Sequence, residues 1–136
     1  MNKKTVLLLV FVLALAVAIP ASALDLVESN PQDGSKAFAV DSQIYLLFDK
    51  NVVNFQIKDN NLQCFTLFDP QNQSVPIEVI LADDQIEPEK RNEIIIKPRT
   101  ALKGNTAYRL EISPELQAKN GQTLEKKIVI SFTTAN

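Results

Sequence analysis

In Leu102-Lys103-Gly104-Asn105-Thr106-Ala107-Tyr108 a leucine precedes by six residues a tyrosine that opens the alternating run Tyr108-Arg109-Leu110-Glu111-Ile112. That is the spacing of a tyrosine corner. In this feature a Tyr near the start of a late strand returns its hydroxyl to upstream backbone, pinning a crossing between two β-sheets, while the leucine fills the core beneath. Tyr108 and Leu102 are therefore read as structural residues. Outward from the corner the same period-two pattern recurs between turn residues. Expected strands are Leu24–Ser29, Gln43–Phe48, Leu62–Phe68, Ile77–Leu81, Glu93–Lys97, Thr106–Ile112 and Lys127–Thr133. Asn30-Pro31-Gln32-Asp33-Gly34 and Asp69-Pro70-Gln71-Asn72 supply turns, and one helical turn is expected over Ser113–Lys119, capped by Ser113 and ended by Asn120-Gly121. Seven short alternating strands with almost no helix read as an all-β sandwich.

The segment ahead of the first strand has a different character. Lys3 and Lys4 form a positive start, Thr5–Ile19 is an almost unbroken apolar run, and Ala21-Ser22-Ala23 is a small-x-small site after Pro20. That order reads as a secretory signal peptide cleaved after Ala23, because about 15 apolar residues fall short of the roughly 20 that span a bilayer. The expected organisation is a leader over 1–23 and a single domain over 24–136, with no integral membrane segment after cleavage. The expected location is periplasmic, cell-surface or extracellular.

Composition excludes much chemistry. The chain has no histidine, no tryptophan and one cysteine, which removes histidine-based acid/base catalysis, most zinc sites and any internal disulfide. Cys64 shares a phase with Leu62 and Phe68 and reads as an inert core thiol. Beyond the leader 12 basic side chains face 16 acidic ones, a formal −4, without the basic stripe that nucleic acid binding needs. The acidic run Asp83-Asp84-Gln85-Ile86-Glu87-Pro88-Glu89 is the one dense carboxylate cluster. It lies between two strands and reads as a solvated loop rather than a glycosidase pair. Asp83 and Asp84 are the weak candidates for a calcium site, although no DxDxDG-type spacing supports them. No other cofactor is implied and no enzyme activity is expected.

Several pieces in order carry a family resemblance: Ser29-Asn30-Pro31-Gln32-Asp33-Gly34, Ile44–Asp49 with its Phe48, Glu93–Pro98 ahead of Leu102, Thr106-Ala107-Tyr108, Asn120-Gly121-Gln122-Thr123-Leu124 and Phe132-Thr133-Thr134. Together they resemble the bacterial Ig-like domain of the S-layer (SbsA-like) type over Leu26–Thr134. The resemblance implies a seven-stranded antiparallel Ig-like or fibronectin-III-like β-sandwich in the cell envelope or secretome. The opening and strand order are also similar to the CopC copper carriers, but the histidines that hold copper in that family have no counterpart here.

The opposite strand phase is the most suggestive feature. If the alternation above faces inward, Tyr45, Leu47, Phe65, Leu67, Ile80, Ile95 and Val129 face outward. Outer faces of antiparallel sheets are normally polar. Large apolar residues there would form an interaction face for a protein partner, a cell-surface component or a second copy, unless Phe38, Val52 and Phe55 cover it. The function expected is that of an exported, non-catalytic binding or structural module, with a small-ligand or ion-binding sandwich as the alternative.

Overall fold

The computed structural model describes residues 22–136; the leader expected over 1–23 therefore lies outside the described residues except for its last two positions. Two sheets face each other. The four-stranded sheet has the order β1 (Leu26–Asn30), β3 (Ile44–Phe48), β7 (Glu93–Pro98), β6 (Ile77–Ile80), and every pair is antiparallel. The five-stranded sheet has the order β2 (Ser35–Phe38), β9 (Ile128–Thr134), β8 (Ala107–Ile112), β4 (Phe65–Phe68), β5 (Ser74–Val75). Among the described residues, no helix is long and apolar enough to cross a membrane.

The sandwich differs from the sequence expectation in three places. The described residues form nine strands rather than seven, because the short β2 and β5 are added, and β2 runs parallel to β9 rather than antiparallel. The opening of the chain contributes to both sheets: β1 pairs with β3, then the Asn30–Gly34 turn carries the chain over to β9. Asp33 Oδ1 accepts from Ser131 N at 2.8 Å there, and Gly34 N donates to Ser131 O at 2.7 Å. Gly34 sits at φ +85°, a region costly for any residue with a Cβ.

The second difference is at Ser113–Lys119, which is not helical. Leu116–Leu124 doubles back through Asn120-Gly121, with Gln117 bridged to Thr123 and Leu124 N donating to Leu116 O at 3.1 Å. Leu116 and Ala118 are fully buried while Gln117 between them is not. This period of two belongs to an extended hairpin, and the Asn-Gly pair serves as its turn.

The third is at the start of β4. Lys58–Leu62 forms a short helix, α1, and the strand begins only at Phe65. Fully buried Asn61 anchors this helix: its Nδ2 donates to Val52 O and to Gln117 O, each at 2.8 Å, and its Oδ1 accepts from Gln117 N at 3.0 Å. A buried amide is tolerated only when its hydrogen bonds are met, and here they join α1 to two other loops.

The core lies between the sheets. Ile44, Leu46 and Phe48 of β3 and Ile94 and Ile96 of β7 meet Tyr108, Leu110 and Ile112 of β8, Ile130 and Phe132 of β9, and Phe65 and Leu67 of β4. The corner is fully formed: the Tyr108 hydroxyl accepts from Lys103 N at 3.0 Å, and its ring stacks on Phe132 with centroids 6.0 Å apart. Leu102 is buried and its N–H donates to Val40 O.

Candidate functional site

The register of the four-stranded sheet shows which outer side chains are neighbours. Tyr45 is opposite Ile95 across β3 and β7, and Ile95 is opposite Ile80 across β7 and β6. Leu47 lies one rank along, between Glu28 and Glu93. Side chains opposite each other on one face lie about 5 Å apart at Cβ, so Tyr45, Ile95 and Ile80 form a continuous apolar row across three strands, with Leu47 beside it. The partial burial of Tyr45, Leu47 and Ile95, and the 37% exposure of Ile80, come with no second layer of strands on this side among the described residues. The residues expected as possible cover do not serve. Phe38 packs edge-on against Phe132 and Val52 is wholly buried, both in the core, while Phe55 is 74% exposed in its loop.

Three of the seven residues expected on one outer face are not part of it. Phe65 and Leu67 point into the core, Leu67 with no exposure at all. The phase of β4 is inverted relative to the expectation because the run was counted from Leu62, which belongs to α1; shifting a strand's phase by one residue exchanges its faces. Val129 does face outward, but from β9 of the other sheet, where it is opposite Glu111.

Around the apolar row the charge is mostly negative. Glu28 and Glu93 flank Leu47, and the Tyr45 hydroxyl donates to Glu93 Oε1 at 3.0 Å. Burial, together with that bond and the nearby Glu93 and Glu28 charges, raises the Tyr45 pKa above its ordinary value. Beside Ile80 and Ile95 the surface dips into a hollow of about 260 Å³. Asp83, Glu87 and Glu93 line it, together with Lys90, whose Nζ is paired to Glu87 at 3.0 Å. One rank further along, Lys97 is opposite Glu78.

The calcium candidates have other employment. Asp84 Oδ2 accepts from Asn51 Nδ2 at 2.9 Å and from Asn54 Nδ2 at 3.0 Å, and these hydrogen bonds hold its carboxyl below the usual range. Asp83 Oδ1 accepts from Gln85 N at 2.9 Å, which shapes the loop. Among the described residues, no group of three or more His, Cys, Asp or Glu side chains is placed to hold a metal ion. Cys64 is buried and its Sγ donates to Asn60 O at 3.3 Å; burial, with a smaller effect from Glu115, pushes the thiol pKa up. That is the opposite of what a nucleophilic cysteine needs.

Sequence reading missed two features of this end of the molecule. The Asn51–Asp84–Asn54 clamp ties the β3–α1 loop to the β6–β7 loop, and Phe55 and Ile86, on those two loops, are 74% and 77% exposed. No periodicity marks these loop positions; the signal available was the pair of asparagines among apolar neighbours in Asn51-Val52-Val53-Asn54.

The sequence pattern of the bacterial Ig-like domain matches residues 20–134. The chain belongs to that family. Among solved structures, this Ig-like domain is similar to CopC from Methylosinus trichosporium OB3b, with 13% identity over 82% of this chain and 93% of that one, at a TM-score of 0.56. It is also similar to the surface layer protein SbsC, domains 1-6, with 14% identity over 85% of this chain at a TM-score of 0.58. An L,D-transpeptidase from Mycobacterium smegmatis shares 9% identity over 84% of this chain at a TM-score of 0.55. The Ig-like domain spans only 14% of the surface layer chain and 41% of the transpeptidase chain. No curated protein matches it. At these identities the likeness shows the sandwich fold, and the fold alone assigns no activity.

Proposed function

We propose that this Ig-like domain is an exported, non-catalytic binding module of the bacterial cell envelope that engages a protein partner through the outer face of its four-stranded sheet. The observation that carries the reading is the row Tyr45–Ile95–Ile80 with Leu47 beside it, apolar and, among the described residues, without a covering layer. A contiguous apolar surface rimmed by charge is the signature of an interaction site. The leader-like segment over 1–23 supports export, and the surface layer and transpeptidase structures supply the setting in which similar sandwiches occur as parts of longer chains. A sandwich whose acidic loop side chains are engaged by loop amides and backbone suits binding better than acid/base chemistry.

The test is capture of partners by the full-length protein, tagged at its C-terminus and produced in its host with its own leader. A reproducible envelope partner should be retained by the wild type and by Val129→Lys, and lost in Leu47→Lys. Retention by Leu47→Lys would move the interaction off this face.

A further inference from the structure

We infer that the occupant of this face is a basic, extended polypeptide segment, alternating cationic and aliphatic side chains, and not a second copy of the chain. The inference rests on the proposed binding role of the sheet face and specifies the partner's chemistry. The apolar row offers Tyr45, Ile95 and Ile80 in line across three strands, a shape that accepts a run of aliphatic side chains. Glu28 and Glu93 border it at Leu47, and Asp83 and Glu87 border it at the hollow beside Ile80. Lys90, the cation that lines the hollow, is already paired to Glu87. Lys97 is a rank away and is opposite Glu78. A rim of net negative charge around an apolar centre selects a partner of the opposite sign and raises its association rate. It also speaks against self-pairing, because two copies meeting face to face would bring together two rims of net negative charge, and like charges brought together at an interface repel. A lysine or arginine suits the hollow, since its methylene stem can lie on Ile80 and Ile95 while its head reaches the rim carboxylates.

The experiment titrates the full-length exported protein, isotope-labelled, with a dodecapeptide of alternating Lys and Leu and with its Glu-Leu counterpart. Amide shifts are read by NMR and affinity by fluorescence anisotropy of the labelled peptide. The Lys-Leu peptide should shift amides of β3, β6 and β7, and its affinity should fall as salt rises through the screening range. Glu93→Lys should weaken it about tenfold and Glu28→Lys severalfold. Glu28, exposed and without the hydrogen bond that Glu93 makes to Tyr45, keeps the test valid if Glu93→Lys folds poorly. Val129→Lys should bind as the wild type does. Equal binding of the Glu-Leu peptide at the same amides would overturn the basic-partner inference and leave the face as a binding site. Shifts on the five-stranded sheet, or no binding by either peptide, would overturn it as well. So would a concentration-dependent dimer abolished by Ile95→Lys. Loss of host partner capture in neither Leu47→Lys nor Ile95→Lys would instead remove the underlying role of the face.

Discussion

Leu47 and Leu67 are the same residue type in strands of the two facing sheets, and a paired truncation to alanine measures which side of each strand is inside. Leu67 is fully buried, opposite Leu110 of β8 and Val75 of β5. Its truncation removes buried methyl groups and leaves a cavity that neighbouring strands fill only in part, at a cost of about 3 kcal/mol. In a domain of this size that lowers Tm by on the order of 10 °C. Leu47 is half-buried on an outer face, with Glu28 and Glu93 as its cross-strand neighbours. Its truncation forfeits only part of a transfer term of roughly 2 kcal/mol and opens no cavity, so its cost stays near or below about 1 kcal/mol. The assay is urea unfolding followed by far-UV circular dichroism, with the two midpoints compared at a common slope. Leu67→Ala should lose at least about twice the stability that Leu47→Ala loses, the larger figure carrying the cavity contribution. Equal losses, or a larger loss at Leu47, would refute the assignment of these faces.

Other consequences follow from particular contacts. Tyr108→Phe keeps the stack on Phe132 but removes the oxygen that accepts from Lys103 N, and should cost about 1 kcal/mol by denaturant unfolding. Asn61→Ala strands the Val52 and Gln117 carbonyls and should cost about 3 kcal/mol, one of the larger polar deletions in the chain; a loss within experimental error would show that α1 is not held this way. Because hydrogen bonds from Asn51 and Asn54 lower the Asp84 pKa, the clamp's contribution is present above the ordinary Asp range and is lost as pH falls through the lowered folded value. The Tm gap between wild type and Asp84→Ala should therefore be constant near neutrality and close under strongly acid conditions. With that carboxylate engaged by two amides, millimolar calcium should leave Tm unchanged; a rise that is lost in both Asp83→Ala and Asp84→Ala would show these residues acting as ligands.

How legible the molecule was depended on how much of each segment repeats with period two. The central strands β3, β7, β8 and β9 alternate over five to seven residues, so their inner and outer faces could be read directly. The phase of β4 was lost because four strand residues follow a helix that itself ends on an apolar residue, and Leu62-Gln63-Cys64 imitates one more turn of alternation. A helical turn is expected over Ser113–Lys119, where the chain instead enters a hairpin, because Ser113, Pro114 and Asn120-Gly121 serve as caps and as hairpin turns alike. β2 escaped notice because Ser35-Lys36-Ala37-Phe38 carries almost no hydrophobic pattern; it is held by the Asp33 and Gly34 bonds to Ser131. The candidate face was half visible. Alternation tells inside from outside but not which of two sheets a strand joins, so Val129 could be recognised as outward and still be assigned to the wrong side of the sandwich.

The most direct measurement places a photo-crosslinking amino acid at position 95, and separately at position 129, in the full-length protein produced in its host. Both positions face outward, one from each sheet. The account predicts a discrete covalent adduct with a partner protein from position 95 and none from position 129. An adduct from position 129 alone, or from neither, would contradict the claim that the outer face of the four-stranded sheet is where this domain binds.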